Sequence, residues 1–145
     1  MLRKGKGLLN RDRLLEKQVL EIVKVDLDDD VHVFVRQMTG RERDEFERSL
    51  VYRFKDKKGR YDYDMRLDDY RAKLAVHTVC DDKGVLLLQS NDYQQLSANM
   101  SAARLEKIIN EAQRINAITE EDKEELVKNS DAGQAGNSSS DSVES

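Results

Sequence analysis

The spacing of apolar and polar residues changes abruptly within one stretch of the chain, residues 31–54. From Val31 to Arg36 every second residue is a valine, which is typical of a strand with one buried face. Thr39 and Glu42 then have the capping-box spacing at the start of a helix. The next apolar residues fall four apart, which predicts a helix that continues to Phe54 with one apolar face. They are Phe46, Leu50 and Phe54. We therefore expect a two-layer unit of strand and helix, with the charged side chains of Arg36, Arg41, Glu42 and Arg43 serving as capping and surface residues.

The rest of the N-terminal half has weaker but recognisable patterns. A Val/Ile-rich strand is expected at Gln18–Leu27, and the acidic turn Asp28–Asp30 would join it to the next strand as an antiparallel hairpin. Apolar spacing predicts a helix at Leu67–Cys80. After a turn that ends at Gly84, which is suited to positive φ, the apolar run Val85–Gln89 predicts a strand buried on both faces.

The C-terminal half is predicted to be helical. A turn of helix is expected at Tyr93–Ala98, and Ser101 is placed to cap the most regular helix of the chain. Its apolar stripe consists of Leu105, Ile108, Ile109, Ala112 and Ile115. Thr119 and Asp122 have the spacing of a second cap, for a charged helix at Glu120–Asn129. We expect residues 130–145 to be disordered, because this Ser/Asp/Gly-rich tail has almost no apolar side chain to bury.

These elements predict an α+β fold: a small, mostly antiparallel sheet built on the N-terminal hairpin, packed by helices, with a helical C-terminal half and a disordered tail. The chain divides into a basic N-terminal segment with a short helix (residues 1–17), an α+β domain (18–129) and the tail (130–145). A length of 145 residues suits one domain.

Charge and cysteine content favour a soluble protein of a reducing compartment. The net charge is -4, with seven basic against three acidic side chains in residues 1–24 and eight acidic against two basic in residues 119–145. Cys80 is the single cysteine, so no intrachain disulfide is expected. No apolar run is long enough for a membrane span and no signal-peptide core follows Met1, so a cytoplasmic location without membrane contact is expected.

The residues that most often carry catalysis or metals do not form a recognisable set. His77 and Cys80 are three apart on the predicted helix, but neither further ligands nor an orienting partner accompany them, and packing at the edge of a core explains them better. The acidic turn Asp28–Asp30 lacks the alternate spacing of a calcium loop. We expect no enzyme activity, no cofactor and no metal.

Nucleic-acid binding is also a weak hypothesis. Basic residues cluster near two tyrosines in residues 55–66, a combination that suits single-stranded nucleic acid. However, Asp56, Asp62 and Asp64 lie within the same stretch and would repel phosphate, so a solvated loop is the better interpretation.

Two weakly apolar helical segments near the ends of the chain are the candidate partner-binding sites. They are too sparse in apolar residues to fold alone, so they must pack either on a partner or on the domain itself. The candidate residues are Leu8, Leu9, Leu14, Leu15, Leu126 and Val127.

The order of segments resembles one protein family over most of the chain, from Asn10 to Ser130. An Arg/Leu-rich start, Asn10–Leu15, precedes the strand–turn–helix stretch, whose most specific part is Arg36–Arg43. A segment ending in Cys80–Asp81 and the terminal run Lys128–Ser130 complete the pattern. In this respect the chain resembles the tail assembly chaperones of long-tailed, siphovirus-type bacteriophages and prophages.

The resemblance implies a non-enzymatic protein of the host cytoplasm. Members of this family bind the tape-measure protein, keep it soluble and help to recruit the major tail tube protein, so both are the implied partners, together with self-association. Two other classes remain open: another phage morphogenesis protein, for tail completion or head–tail joining, and a small nucleic-acid-binding regulator.

Overall fold

A computed structural model describes residues 7–28 and 30–135, with the backbone alone for residues 127 and 129–135. The described chain is an α+β protein, as predicted. Its helices are α1 (Arg11–Leu15), α2 (Gly40–Arg48), α3 (Tyr70–Val76), α4 (Tyr93–Asn99), α5 (Ala102–Ile115) and α6 (Glu120–Ala135). Its strands are β1 (Ile22–Asp28), β2 (Val31–Arg36), β3 (Val51–Lys55), β4 (Tyr61–Met65) and β5 (Val79–Cys80).

Two antiparallel sheets organise the described chain. The predicted N-terminal hairpin is confirmed: β1 and β2 pair antiparallel, with Val25 opposite Val33, and β5 joins the other edge of β2 to give the order β1-β2-β5. β3 and β4 form a separate two-stranded sheet. β1 begins at Ile22 and not at Gln18, because Ile22 is the first residue with a partner, Arg36, on β2.

The core lies between the three-stranded sheet and the helices α3 and α5. Every residue of the predicted α5 stripe is buried, from Leu105 at one end to Ile115 at the other. α5 packs across β1 and β2 and also against α3. Phe46, Leu50 and Leu74 are among the largest side chains that this arrangement removes from water.

The predicted capping box at the start of α2 is present. The Thr39 hydroxyl accepts a hydrogen bond from the Glu42 amide at 3.2 Å, and a Glu42 carboxylate oxygen accepts one from the Thr39 amide at 2.9 Å. Ser101 caps α5 by accepting from the Arg104 amide at 3.1 Å. These helix starts follow from residues three apart, so local sequence is sufficient to place them.

The prediction that α2 continues to Phe54 is wrong. α2 ends at Arg48, and β3 follows after Leu50, with Tyr52 and Phe54 half-buried and their neighbours exposed. Leu50, Tyr52 and Phe54 are two apart, so the spacing that suggested a helix also fits one face of a strand. Antiparallel pairing with β4 decides between them.

The predicted helix at Leu67–Cys80 is also too long. α3 begins only at Tyr70, because the preceding Asp69 has left-handed backbone geometry (φ 57°). At the other end Val79 and Cys80 leave the helix and pair with Val35 and Phe34 of β2. The apolar residues after Val76 therefore belong to a sheet edge, since a long-range partner was available to them.

The run Val85–Gln89 does not form the predicted buried strand. Val85 and Leu87 are exposed, while Leu88 packs partly against the core. A tight turn precedes the run: the Asp81 carboxylate accepts from the Lys83 and Val85 amides, and Gly84 has the predicted positive φ of 89°. In the described chain only the isolated bridge between Leu86 and Cys80 links this run to the sheet.

The terminal helices differ in length from the predictions. α1 covers five residues of the short helix predicted within residues 1–17. The predicted Thr119–Asp122 capping box starts α6, with hydrogen bonds of 2.8 and 3.0 Å. α6 continues past Asn129 to Ala135, into the segment predicted to be disordered. The remainder of that tail, residues 136–145, lies outside the described residues.

Candidate partner-binding surface

The N-terminal arm, residues 7–21, presents exposed leucines on a short helix. α1 has no buried residue, and Asn10 caps it by accepting from the Arg13 amide at 2.9 Å. The exposed fractions are 83% for Leu8, 47% for Leu9, 65% for Leu14 and 68% for Leu15. The sequence left open whether these four side chains pack on the domain; in the structure they remain largely accessible to water.

The second candidate segment behaves differently. Leu126 on α6 is partly buried and packs against the hydrophobic core, where Met65 is another peripheral member. The side chain of Val127 lies outside the described residues. The arm is therefore the candidate segment whose apolar side chains are exposed. In α6, Leu126 packs against the domain core.

The base of the arm is fastened to the strand–turn–helix stretch by Gln37. The Gln37 side chain accepts from the Glu21 amide at 2.8 Å and donates to the Ile115 carbonyl at 3.2 Å, and the Gln37 amide donates to the Glu21 carbonyl at 3.0 Å. The next residue, Met38, donates its amide to the Asn116 side chain at 2.7 Å. The arm thus leaves the domain at a point where β2, α2 and the end of α5 are joined.

A groove of about 1010 Å³ lies beside this junction. It is lined by the arm from Lys17 to Leu20, by the turn Arg36–Gly40 and by the end of α5 at Ile115–Ala117. Val19, which is 92% exposed, stands at its arm side. The groove therefore lies at the base of the arm, and the four arm leucines are not among its lining residues.

Arg36, predicted to be a surface residue, is buried beside this groove. It is 7% exposed and forms two parallel hydrogen bonds with the Glu42 carboxylate, at 3.0 and 2.8 Å. Its Nε atom is buried without a hydrogen-bond partner among the described residues. A side chain at position 84 would meet Ile22 and the Arg36 stem, because a Cβ on Gly84 would lie 3.1 Å from Ile22 Cδ1 and 3.8 Å from Arg36 Cδ. The prediction of an exposed Arg36 is wrong because Glu42, which was expected only to cap α2, also pairs with Arg36. An arginine can be buried when it has such a carboxylate partner.

His77 and Cys80 do not act as a pair. His77 ends α3 with its Nδ1 atom 2.9 Å from the Lys73 carbonyl, whereas Cys80 is on β5, 1% exposed. Burial raises the pKa of the Cys80 thiol, which disfavours a reactive thiolate. Within residues 7–28 and 30–135, no group of three or more metal-ligating side chains is arranged around a common point.

Two arginines near the second sheet contact neighbouring side chains. The guanidinium of Arg53 lies 4.1 Å from the centre of the Tyr61 ring, and Arg60 pairs with Asp56 at 3.3 Å. At the acidic turn, Asp28 pairs with Arg104 of α5.

Lys73 is a buried charge that the sequence pattern did not reveal. It lies on α3 within the run Tyr70–Cys80, where all residues except Arg71 are buried. The sequence signal that could have indicated its burial is the position of a lysine among apolar residues of a helix. Charged residues are seldom fully buried unless they are paired.

No helix in the described part of the chain is both long and apolar enough to cross a membrane. No family model, no curated protein and no solved structure matches this chain.

Proposed function

We propose that this protein is a tail assembly chaperone of a long-tailed bacteriophage or prophage. It binds the tape-measure protein, keeps that protein soluble and helps to recruit the major tail tube protein. The observation that carries the proposal is the N-terminal arm, whose four leucines are 47–83% exposed while the domain behind them has its own closed core. The order of segments that resembles the family supports the same conclusion.

The arm suits a client that is long, helical and apolar along one side. The leucines at residues 8, 9, 14 and 15 offer aliphatic surface, and aliphatic contacts do not require hydrogen-bonding groups at fixed positions. The same arm can therefore bind at many similar apolar sites along such a client. The sequence also keeps the complex hydrated, because 37% of its residues are charged. Self-association would let several copies cover the length of one client.

The proposal contains no catalytic step and no cofactor. It places the protein in the host cytoplasm, where the client is synthesised before the tail tube assembles around it. The arm leucines are the proposed client contacts, and Leu126 is assigned to the stability of the domain because it packs on the core.

Co-expression with a candidate tape-measure protein tests the proposal. The wild-type chain is expected to co-purify with the client and to raise its soluble yield. A variant with Leu8, Leu9, Leu14 and Leu15 changed to serine should lose both effects while its own soluble yield is unchanged, because these side chains are exposed. The matched control changes Val85 and Leu87, also exposed aliphatic residues, to serine and should retain both effects.

Failure of the wild-type chain to bind or solubilise the client would contradict the chaperone proposal. Equal loss in the arm variant and in the control would contradict the assignment of the arm. Presence of the protein in finished particles would favour a structural component for tail completion or head–tail joining. Salt-sensitive binding to DNA or RNA at physiological ionic strength would favour a nucleic-acid-binding regulator.

A further inference from the structure

The outer edge of β1 has no neighbouring strand. β1 stands at one end of the order β1-β2-β5, and within residues 7–28 and 30–135 it pairs with β2 alone. α5 packs on β1 from the core side, where Val25 and Leu27 are buried. The edge that points away from β2 is therefore the part of β1 left for a partner.

The hydrogen bonds of β2 show which backbone groups of β1 point to this edge. The Gln37 amide donates to the Glu21 carbonyl at 3.0 Å, whereas the Arg36 amide donates to the Thr78 carbonyl, on the β5 side, at 2.9 Å. Successive residues of a strand direct their backbone groups to opposite sides. In the β1–β2 register, every second residue of β1 therefore directs its N–H and C=O away from β2. These residues are Ile22, Lys24 and Asp26.

No group of the described chain forms a hydrogen bond with these outward N–H and C=O groups. Past Asp26 the edge changes, since the Leu27 carbonyl accepts from Lys107 Nζ of α5 at 2.6 Å. The open edge thus runs from Ile22 to Asp26. A row of unpaired strand groups is a template for pairing with another strand.

The exposed side chains of this edge carry opposite charges two residues apart. The side chains of Lys24 and Asp26 are 57% and 81% exposed, and Lys24 Nζ lies 3.8 Å from Asp26 Oδ1. So long and exposed an ion pair contributes little to stability, and both side chains remain available. A lone lysine on an edge opposes pairing with another chain, but an acidic residue on the same face offers that lysine a partner in a second copy.

One antiparallel register of two β1 edges places unlike charges opposite each other twice. When Val25 of one copy lies opposite Val25 of the other, each Lys24 lies opposite an Asp26. Both of these residues have outward backbone groups, so they form the hydrogen-bonded pairs of the new ladder. Centring the two-fold axis on Lys24 would oppose two lysines, and centring it on Asp26 would oppose two aspartates, which is unfavourable.

The strands of the second sheet lack this self-complementarity. β3 carries Arg53 and Lys55, and β4 carries Asp62 and Asp64. An antiparallel copy of either strand, placed in the corresponding register, would bring like charges opposite each other. The fit to a second copy is therefore a property of β1.

We propose that the β1 edge is a self-association surface whose partner is the β1 edge of a second copy of this chain. The two copies form a two-fold dimer with a continuous six-stranded sheet, in which Lys24 of each copy pairs with Asp26 of the other. Because one strand pair is a small interface, the dimer is weak and depends on protein concentration. The inference does not rest on the chaperone function; a chain that stays monomeric and still solubilises the client would contradict this inference alone.

Sedimentation equilibrium at low ionic strength tests the proposal. The average mass should rise from the 16.7 kDa of the monomer towards twice that value as the concentration increases from about 10 μM to 1 mM, the range expected for a small interface. Added salt should weaken the association, because the pairing charges are exposed. A mass that stays at that of the monomer throughout would overturn the proposal.

Charge reversal at the two positions tests the register. Lys24→Glu and Asp26→Lys should each weaken self-association by about tenfold or more, because the two-fold axis doubles every like-charge pair. An equimolar mixture of the two variants should associate as the wild-type chain does, since each pair then opposes unlike charges. Recovery in the mixture also shows that both variants are folded. A mixture that associates no better than its components would overturn the register.

Matched controls make the same changes of charge on the second sheet. Lys55→Glu and Asp62→Lys alter exposed residues of β3 and β4, and each should associate as the wild-type chain does. Equal weakening in these controls would mean that net charge, and not the β1 edge, controls the association.

Amide hydrogen exchange locates the interface independently. The amides of Lys24 and Asp26 should exchange more slowly at 1 mM than at 10 μM protein, concentrations at about the two ends of that range, because pairing protects them only in the dimer. The amides of Val23 and Val25 already face β2 and should change much less. Association without added protection at Lys24 and Asp26 would place the interface elsewhere and overturn the proposal.

Discussion

Arg36 and Glu42 join the end of β2 to the first turn of α2 at the level of single residues. The same Glu42 carboxylate that accepts two hydrogen bonds from Arg36 also closes the capping box with Thr39. Arg36 is buried while its partner is about one-quarter exposed, so the pair is only partly screened by water. The turn most characteristic of this sequence is therefore held together by one shared carboxylate.

The acid sensitivity of folding should depend on this carboxylate. The hydrogen bonds from Arg36 hold the pKa of Glu42 below its ordinary value, despite partial desolvation that acts in the opposite direction. Because the pKa is lower in the folded than in the unfolded chain, the stabilisation is present above the unfolded pKa, near 4.5, and is lost as the pH falls through the folded value.

Urea unfolding of the wild-type chain at successive pH values below about 5 should therefore show falling stability, and Glu42→Gln should reduce that fall. Arg36→Gln should reduce it as well, since it removes the group that lowers the pKa. A fall of the same steepness in all three proteins would show that the pair does not contribute to the pH dependence.

At the level of elements, the end of α5 shows how a helix stops without glycine. The Ile118 amide donates to the Gln113 carbonyl at 2.9 Å, and the Ala117 amide donates to the Arg114 carbonyl at 3.2 Å, which is the Schellman arrangement. Ala117 has a φ of 55°, a left-handed geometry in which glycine is usual. Ile118 is buried just beyond it, so packing holds the alanine in this conformation.

Ala117→Gly should therefore stabilise the protein, by up to about 1 kcal/mol, because it relieves a Cβ in left-handed backbone. The same substitution at Ala103, an exposed position in the first turn of α5, should destabilise it by roughly 0.5–1 kcal/mol, since glycine there loses more conformational freedom on folding. Chemical denaturation measures both changes. Destabilisation by both substitutions would show that the end of α5 is not strained.

At the level of the whole molecule, the domain core and the N-terminal arm are separable. The core is closed by α3 and α5 over the sheet, and Leu126 of α6 contributes at its periphery. The arm leucines contribute little to it, because water reaches about half or more of each. Leu126 of α6 should therefore affect the stability of the domain, and the arm leucines should affect association with a partner.

Leu126→Ala should lower the free energy of unfolding by about 1–2 kcal/mol, less than a fully buried leucine would because Leu126 is only partly buried. The fourfold serine variant of the arm should change it by less than about 0.5 kcal/mol. Thermal or urea unfolding compares the two directly. A large loss of stability in the arm variant would mean that the arm packs on the domain and is not a free contact surface.

Several elements could be predicted from the sequence because their causes lie within a few residues. The capping boxes at Thr39 and Thr119 require partners three residues away, and the α5 stripe requires only helical spacing. The β1–β2 hairpin is similarly local, since its strands flank a short acidic turn. The α+β class follows from these parts, because a half-buried hairpin and an amphipathic helix are expected to pack against each other.

Other features depended on partners far along the chain. Val79 and Cys80 became a strand because β2 offered an edge, and residues 51–55 became a strand because residues 61–65 paired with them. The burial of Lys73 required Tyr52, 21 residues away, together with Tyr93. Whether the arm leucines face water or the core depended on the closure of the whole domain. The sequence by itself therefore determined the elements whose stabilising hydrogen bonds and apolar spacing lie within a few residues. Only the tertiary structure decided which strand edges pair, which charged side chains are buried and which apolar side chains remain exposed, because these depend on contacts between distant parts of the chain.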